Sequence, residues 1–289
     1  MIADPLPRFT ENGGTYAQAR SWALNAIERF ETAGVRVPQH GRLREYAKQF
    51  ELAVRAIETG EAGRLNLEYL HRALLDVTEL SLIADQFATA TPVNGFRYAA
   101  NRAMKGGKLL GDEKNQSSAR DFQFELFIGA IFKRGGYDVS FEDPDVIVRG
   151  SFGDVGIAAK RPRSMDNLPN LFEDADEQID RSGKLGLIAL DISFLIMPSD
   201  LHLPAAADAG PLLNVAVHGF AVDTRKNAAR LVRSPRTIGY ISYASMLVVD
   251  YDKPQLVVPR ACTFGRFIAV DDPRMSILVE LRERVTCTA

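Results

Sequence analysis

The chain has 289 residues, 46% of them hydrophobic and 25% charged, which is ordinary for a globular protein of one large domain or two smaller ones. Its 35 basic and 37 acidic side chains give a net charge of -2. This balance argues against a protein that only coats nucleic acid, because such proteins are usually basic. It still permits a chain whose positive charge is confined to one cleft.

The sequence shows neither a secretory signal nor a membrane span. The N-terminus lacks a basic segment followed by an apolar run, and the longest apolar stretch, residues 185–197, is interrupted by Asp191. The two cysteines, Cys262 and Cys287, form no CxxC pair, so we expect no disulfide framework. These features favour a reducing, cytoplasmic location and predict no membrane association.

The first hundred residues have the apolar periodicity of helices. The spacing predicts helices over residues 16–33, 43–59 and 66–87, with no strand and no chemical motif among them. We therefore predict an all-α N-terminal domain over residues 1–104, followed by a polar, glycine-containing linker over residues 105–118. Such a helical region would serve internal packing, a homo-oligomer contact or a partner protein.

After the linker, short apolar runs alternate with helical segments, which predicts an α/β domain over residues 119–289. The order of elements is that of a mixed sheet covered by helices on its faces. Helices are predicted at residues 119–134, 168–180 and 205–232, and strands at residues 137–141, 146–148, 155–159, 185–192, 237–242 and 246–249.

Glu125 stands out because residues 122–132, FQFELFIGAIF, are otherwise apolar apart from Gln123. A helix that is apolar nearly all round is buried, and a buried carboxylate is costly unless it is paired or binds a metal. The alternative is a helix edge from which Glu125 simply reaches solvent or an arginine.

Two further charged residues lie at strand ends. Asp145 follows a proline and precedes an apolar β-branched run, so it is predicted to open a strand; the alternative is a turn aspartate. Lys160 ends the apolar stretch VGIAA, which predicts that its ammonium emerges at the rim of a sheet. The alternative there is an ordinary lysine at a strand end.

Together, a glutamate on a helix, a Pro-Asp145 step opening a strand and Lys160 ending the next strand resemble the core of the PD-(D/E)xK restriction-endonuclease-like nucleases. The Lys-Arg-Pro sequence from Lys160 continues the motif, and Gln178 lies in the next predicted helix, where many relatives carry a glutamine. The resemblance would cover residues 117–250. It implies a restriction-endonuclease-like mixed sheet flanked by helices and a metal-dependent nuclease acting on phosphodiester bonds, expected in DNA.

One acid of the motif is replaced in this chain. The family has a carboxylate two residues before the lysine, where this sequence has Ala158, and a methyl group cannot bind a metal. Asp154 shares the strand face of Lys160, but six residues of strand span about 20 Å, too far for one metal site unless the strand bends. Glu125 is the better substitute, as some relatives carry the acid on the helix.

The resemblance assigns a role to each residue of the motif. Asp145, Glu125 and the backbone carbonyl of Ala159 would bind Mg²⁺ or Mn²⁺, since Mg²⁺ prefers oxygen ligands and keeps several waters. Lys160 would hold the attacking water or neutralise developing charge, with Gln178 as a further catalytic-site residue. A reaction of this kind depends mostly on positioning and electrostatics.

Basic residues near the motif are candidates for contacts with nucleic acid. Arg161 and Arg163 lie directly beside Lys160, and Arg230 and Arg233 belong to a basic segment over residues 223–236. Such a segment could follow a phosphate backbone. The alternative for this segment is a solvated helix face.

Three functional hypotheses follow. The first is the metal-dependent nuclease. The second keeps the fold without the chemistry, with Ala158 marking a degenerate site in a protein that binds nucleic acid or scaffolds a complex. The third is a helical interaction protein whose α/β part is unlike a nuclease. Its sign would be Asp145 and Lys160 pointing to different sides of the sheet.

Overall fold

The fold is a mixed β-sheet with helices packed on both faces. The structure is a computed structural model that describes residues 8–89, 93–106, 118–196, 206–246, 248–250 and 255–285. In these ranges the helices are α1 (Tyr16–Thr32), α2 (Arg42–Glu58), α3 (Leu67–Phe87), α4 (Phe96–Ala103), α5 (Ser118–Arg134), α6 (Leu168–Ser182), α7 (Ser193–Ile196), α8 (Ala206–Leu231) and α9 (Met275–Arg284). The strands are β1 (Arg8–Gly14), β2 (Asp138–Ser140), β3 (Val146–Gly150), β4 (Gly153–Lys160), β5 (Leu185–Asp191), β6 (Thr237–Ser245), β7 (Val248–Asp250) and β8 (Gln255–Arg266).

The strands follow the spatial order β1-β8-β6-β5-β4-β3-β2, and β7 pairs with β8 at the side of this path. The two central pairs, β4 with β5 and β5 with β6, are parallel, and the other pairs are antiparallel. Central parallel strands are buried on both faces, which explains the nearly continuous apolar sequences of β4 and β5. Lys160 and Asp191 therefore lie at the carboxyl ends of adjacent parallel strands.

Alternate residues of each central strand belong to two separate apolar clusters. In β4, Ile157 and Ala159 pack in the cluster formed with α1 to α5, whereas Ala158 packs in the cluster formed with α6 and α8. This alternation is the period of two that a strand imposes on its side chains. Helix α5 is buried nearly all round because it lies between the N-terminal helices and the sheet.

The predicted helices of the N-terminal region are confirmed within one or two residues, but the prediction that this region is all-α is wrong. Strand β1 precedes α1 and pairs along its whole length with β8. Its sequence, RFTENGG, has no apolar alternation, because an edge strand can be held by backbone hydrogen bonds alone. The sequence prediction also missed β8, α4 and α9. Most of the predicted linker, residues 107–117, lies outside the described residues, so the domain boundary stays a prediction.

A network of buried charged groups joins the N-terminal helices to α5. Asp76 of α3 accepts hydrogen bonds from Arg42 at 3.1 Å, from Gln123 at 2.7 Å and from Arg120. The Gln123 amide also donates to Glu79 at 2.7 Å. Each of these five side chains is at most about one-twentieth exposed. We call them the Asp76 network, and they fix the rotation of α5 against α3.

Two observations bear on location. Cys262 of β8 is disulfide-bonded, and the sequence's other cysteine, Cys287, lies outside the described residues. One bond does not make a disulfide framework, but it weakens the cysteine argument for a reducing compartment, and the cytoplasmic location stays a prediction. In the described part of the chain, every helix is too short or too polar to cross a bilayer.

Candidate active site

Lys160, Asp145 and Gln178 meet where β3 begins and β4 ends. The Lys160 Nζ donates to Gln178 Oε1 at 2.7 Å and lies 3.9 Å from Asp145 Oδ2. The Gln178 Nε2 donates to Asp145 Oδ1 at 2.8 Å and to the carbonyl of Pro144. Asp145 and Lys160 thus lie close together, and the divergence expected of an α/β part unlike a nuclease is not observed.

The register of β3 and β4 explains why the Asp145 side chain lies next to the end of β4. The last pair of the two strands is Val146 with Ile157, so Asp145 lies just beyond the ladder. Its Oδ2 accepts a hydrogen bond from the Ala159 N–H at 2.8 Å. The carboxylate thus replaces the backbone carbonyl that a neighbouring strand would offer at this position. In an extended strand the N–H and C=O of one residue point to the same edge. The carbonyl of Ala159 is therefore directed past the start of β3, toward Asp145.

Helix α5 contributes two carboxylates on one face. Asp121 and Glu125 are four residues apart, so their side chains are neighbours along the helix. The pKa of Glu125 is raised to about 8, mainly by burial and also by Asp145, while Lys160 opposes the shift. Burial also raises the pKa of Asp121, with opposition from Arg161, Arg163 and Lys160. Both helical acids thus interact electrostatically with Lys160.

Asp145 has the same electrostatic character. Burial raises its pKa to about 7, while Lys160 and the Ala159 N–H oppose the shift and Asp143 and Asp121 add to it. We call Asp121, Glu125, Asp145, Lys160 and Gln178 the Lys160 cluster. Its three acids face one lysine in a largely desolvated place, which is unfavourable for their ionised forms. A bound cation would relieve this excess of negative charge.

No protein-family model, no curated protein and no solved structure matches this chain. The case for a function therefore depends on the geometry of the chain itself. The sequence predicted that Asp145, Lys160, Glu125 and Gln178 belong to one candidate site. It missed Asp121, although the spacing of four residues to Glu125 was a signal for a shared helix face.

Ala158 leaves the Lys160 cluster without the acid that the motif usually carries there. Its side chain is fully buried in the apolar cluster formed with α6 and α8. Among the described residues, no group of three or more His, Cys, Asp and Glu side chains has the arrangement of a metal site. A cation would thus need the Ala159 carbonyl, waters and small side-chain movements in addition to the carboxylates.

Arg161, which we predicted to contact nucleic acid, instead has a buried side chain that is paired with groups of the protein itself. Its side chain is 6% exposed, and its Nη2 lies 2.8 Å from Asp191 Oδ2. Its Nη1 donates to the carbonyl of Arg120 at 3.2 Å. Arg161 therefore ties the ends of β4 and β5 to the start of α5, the helix that carries Asp121 and Glu125. Arg163 is exposed and lowers the pKa of Asp121, so it does lie near the cluster.

The contacts of Arg230 and Arg233 with nucleic acid stay predictions, but Arg233 lies away from the Lys160 cluster. Arg230 is on the last turn of α8, and the Arg233 N–H donates to Asp176 of α6 at 2.7 Å. Asp176 and Gln178 are two residues apart, which turns a helix by about 200°. Helix α6 thus separates Arg233 from Lys160. Arg233 lines a cleft of about 700 Å³ whose walls also carry Glu173, Glu177 and Asp180, a poor setting for phosphate.

Proposed function

We propose that this chain is a metal-dependent nuclease that hydrolyses phosphodiester bonds, expected in DNA, with a restriction-endonuclease-like core. The observation that carries the proposal is the convergence of Glu125 and Asp145 with Lys160 and Gln178 at one edge of the sheet. Two acids from different elements, an amine and a directed backbone carbonyl are the groups that such a reaction requires.

The donor set of the Lys160 cluster fits Mg²⁺ or Mn²⁺. Asp145, Glu125 and the carbonyl of Ala159 offer only oxygen, which these hard cations prefer. The pKa values of the two carboxyls are raised, first by burial and then by neighbouring acids, so a bound cation would stabilise their ionised forms. When bound, the cation would polarise the scissile phosphate and lower the pKa of a bound water.

The remaining groups position the reactants. Gln178 accepts a hydrogen bond from Lys160 and donates one to Asp145, so it fixes both side chains relative to each other. Lys160 then holds its ammonium where it can orient the attacking water or neutralise charge on the phosphate. Arg163 is exposed three residues after Lys160, and we expect a neighbouring phosphate to contact it there.

Two observations favour the alternative, a nuclease-fold protein that binds nucleic acid or scaffolds a complex without cutting it. Ala158 is fully buried among apolar side chains, and the substitute acid Glu125 has a pKa raised to about 8. At neutral pH Glu125 would be mostly protonated until a cation displaces its proton. The two proposals therefore differ in whether the cation binds tightly enough to ionise Glu125.

Cleavage of plasmid in Mg²⁺ or Mn²⁺ tests the proposal. Asp145→Asn and Lys160→Met should each abolish cutting. Asp154→Asn is the matched control, because Asp154 lies on β4 but is exposed and paired with Arg149. Binding of DNA by the wild type without cutting would favour the scaffold, and equal cutting by all variants would reveal a contaminating enzyme and refute the assignment.

A further inference from the structure

An exposed aromatic patch lies on α4 and α5. The ring of Tyr98 is in edge contact with that of Phe122, with centroids 6.0 Å apart and planes at 85°. The Arg102 guanidinium lies 6.0 Å from the centre of the Tyr98 ring and 5.4 Å from that of Phe122. We call these three residues the Tyr98 patch. Tyr98 is 64% exposed, whereas Phe122 is half-buried and packs on the core.

The patch is not required for the packing of α4. That helix buries Phe96, Ala99, Ala100 and Ala103, which lie on its other side. Gly95, with a positive φ of 74°, begins the helix where a Cβ would overlap the carbonyl of Phe141. The start of α4 is therefore fixed closely against the chain that follows β2, and Tyr98 extends outward from a rigid base.

The patch adjoins the Lys160 cluster along α5. Phe122 follows Asp121 directly and precedes Glu125 by three residues, a spacing at which helical side chains are neighbours. Each residue advances a helix by about 1.5 Å, so Phe122 and Glu125 are about 4.5 Å apart along the axis. A nucleotide whose phosphate lies at the Lys160 cluster can thus bring an adjacent base to Tyr98.

The chemistry of the patch fits a nucleobase. Base stacking on an aromatic ring needs an accessible face and tolerates any base, and an arginine next to the ring adds a cation–π contact and a phosphate partner. A paired base inside a duplex has both faces covered by its neighbours and cannot use such a ring. From these contacts we propose that the Tyr98 patch stacks an unpaired base of the substrate, so that the site accepts single-stranded or locally unpaired nucleic acid. The proposal rests on the proposed nuclease function for the placement of the phosphate.

Binding of a single-stranded oligonucleotide with one 2-aminopurine tests the patch, because the fluorescence of this base is quenched when it stacks. The wild type, Tyr98→Ala, Tyr98→Phe and Val215→Ala would be titrated in Ca²⁺, beside a duplex of the same sequence. Tyr98→Ala should weaken single-strand binding about 5- to 150-fold and remove the quenching. Tyr98→Phe keeps the ring and should bind like the wild type. Val215, 71% exposed on α8, is the control for loss of an exposed apolar side chain.

Three results would overturn the proposal: unchanged binding by Tyr98→Ala, an equal loss for duplex and single strand, or no binding of the single strand by the wild type. Because Tyr98 is exposed, its variants should have the wild-type unfolding temperature. Measuring that temperature separates a loss of binding from misfolding. The outcome is separable from that of the nuclease proposal. Tyr98-dependent binding without cutting would remove hydrolysis and keep the stacking site, whereas cutting with Tyr98-independent binding would do the reverse.

Discussion

Replacing Glu125 by glutamine should stabilise the metal-free protein at high pH and weaken its stabilisation by Mg²⁺. Folding raises the pKa of this carboxyl from 4.5 to about 8, mainly through burial. Between these values the folded chain retains a proton that the unfolded chain has released. Stability therefore falls as the pH rises through this window, and glutamine, which cannot ionise, removes that loss.

The magnitude follows from the shift. Each pKa unit is worth about 1.4 kcal/mol, and between about pH 5 and about pH 8 the carboxyl accounts for about 3 kcal/mol of lost stability. The difference in unfolding free energy between Glu125→Gln and the wild type should grow by that amount over the interval. Below about pH 4.5 it should be small, because the carboxyl is then protonated in both states.

Urea unfolding at the two pH values, with and without Mg²⁺, measures both effects. Mg²⁺ should stabilise the wild type more at high pH, because its binding must displace the Glu125 proton. It should not stabilise Glu125→Gln to the same extent. Glu58→Gln, at an exposed position of α2, is the matched control and should follow the wild type. A Glu125→Gln variant with the wild-type pH slope, or with full stabilisation by Mg²⁺, would refute the placement of this carboxyl in the Lys160 cluster.

Three other substitutions test neighbouring parts of the fold. Gln178→Ala removes the side chain that bridges Lys160 and Asp145 and should lower the cleavage rate at least about tenfold with little change in substrate binding, measured as kcat against KM. Ala158→Asp places a carboxylate in an apolar cluster; it should cost on the order of 3 kcal/mol in urea unfolding without metal, and Mg²⁺ should recover part of this loss if a cation binds nearby. Asp76→Asn should destabilise by about 3 to 5 kcal/mol in the same assay, since it leaves two buried guanidinium groups without their anion; a loss below about 1 kcal/mol would contradict the Asp76 network.

Local pattern was sufficient for the long helices α1, α2, α3 and α5 and for most of the central strands. Helices α1, α2, α3 and α5 have apolar stripes at helical spacing, and β4 and β5 are continuous apolar runs between polar ends. The same patterns indicate on which face of its own element a residue lies. For this reason the strand-end positions of Asp145 and Lys160 could be predicted without coordinates.

Partners across elements could not be predicted in this way. The sequence placed Arg161 beside Lys160 as a phosphate contact, yet the adjacent parallel strand β5 ends in Asp191, which binds the guanidinium. It grouped Arg233 with the motif, but α6 lies between them. The sequence around a basic side chain does not indicate whether an acid from a distant segment will lie next to it.

The sequence by itself determined the helical periodicities, the buried central strands and the candidate residues Glu125, Asp145, Lys160 and Gln178. Only the tertiary structure decided that Asp121 joins them, that Arg161 is internal and that β1 completes the sheet beside β8. Periodicity records whether a side chain is turned toward water or toward the core, because that preference acts on each residue separately. Which groups meet inside the core depends on how whole elements pack, and that is a property of the complete chain.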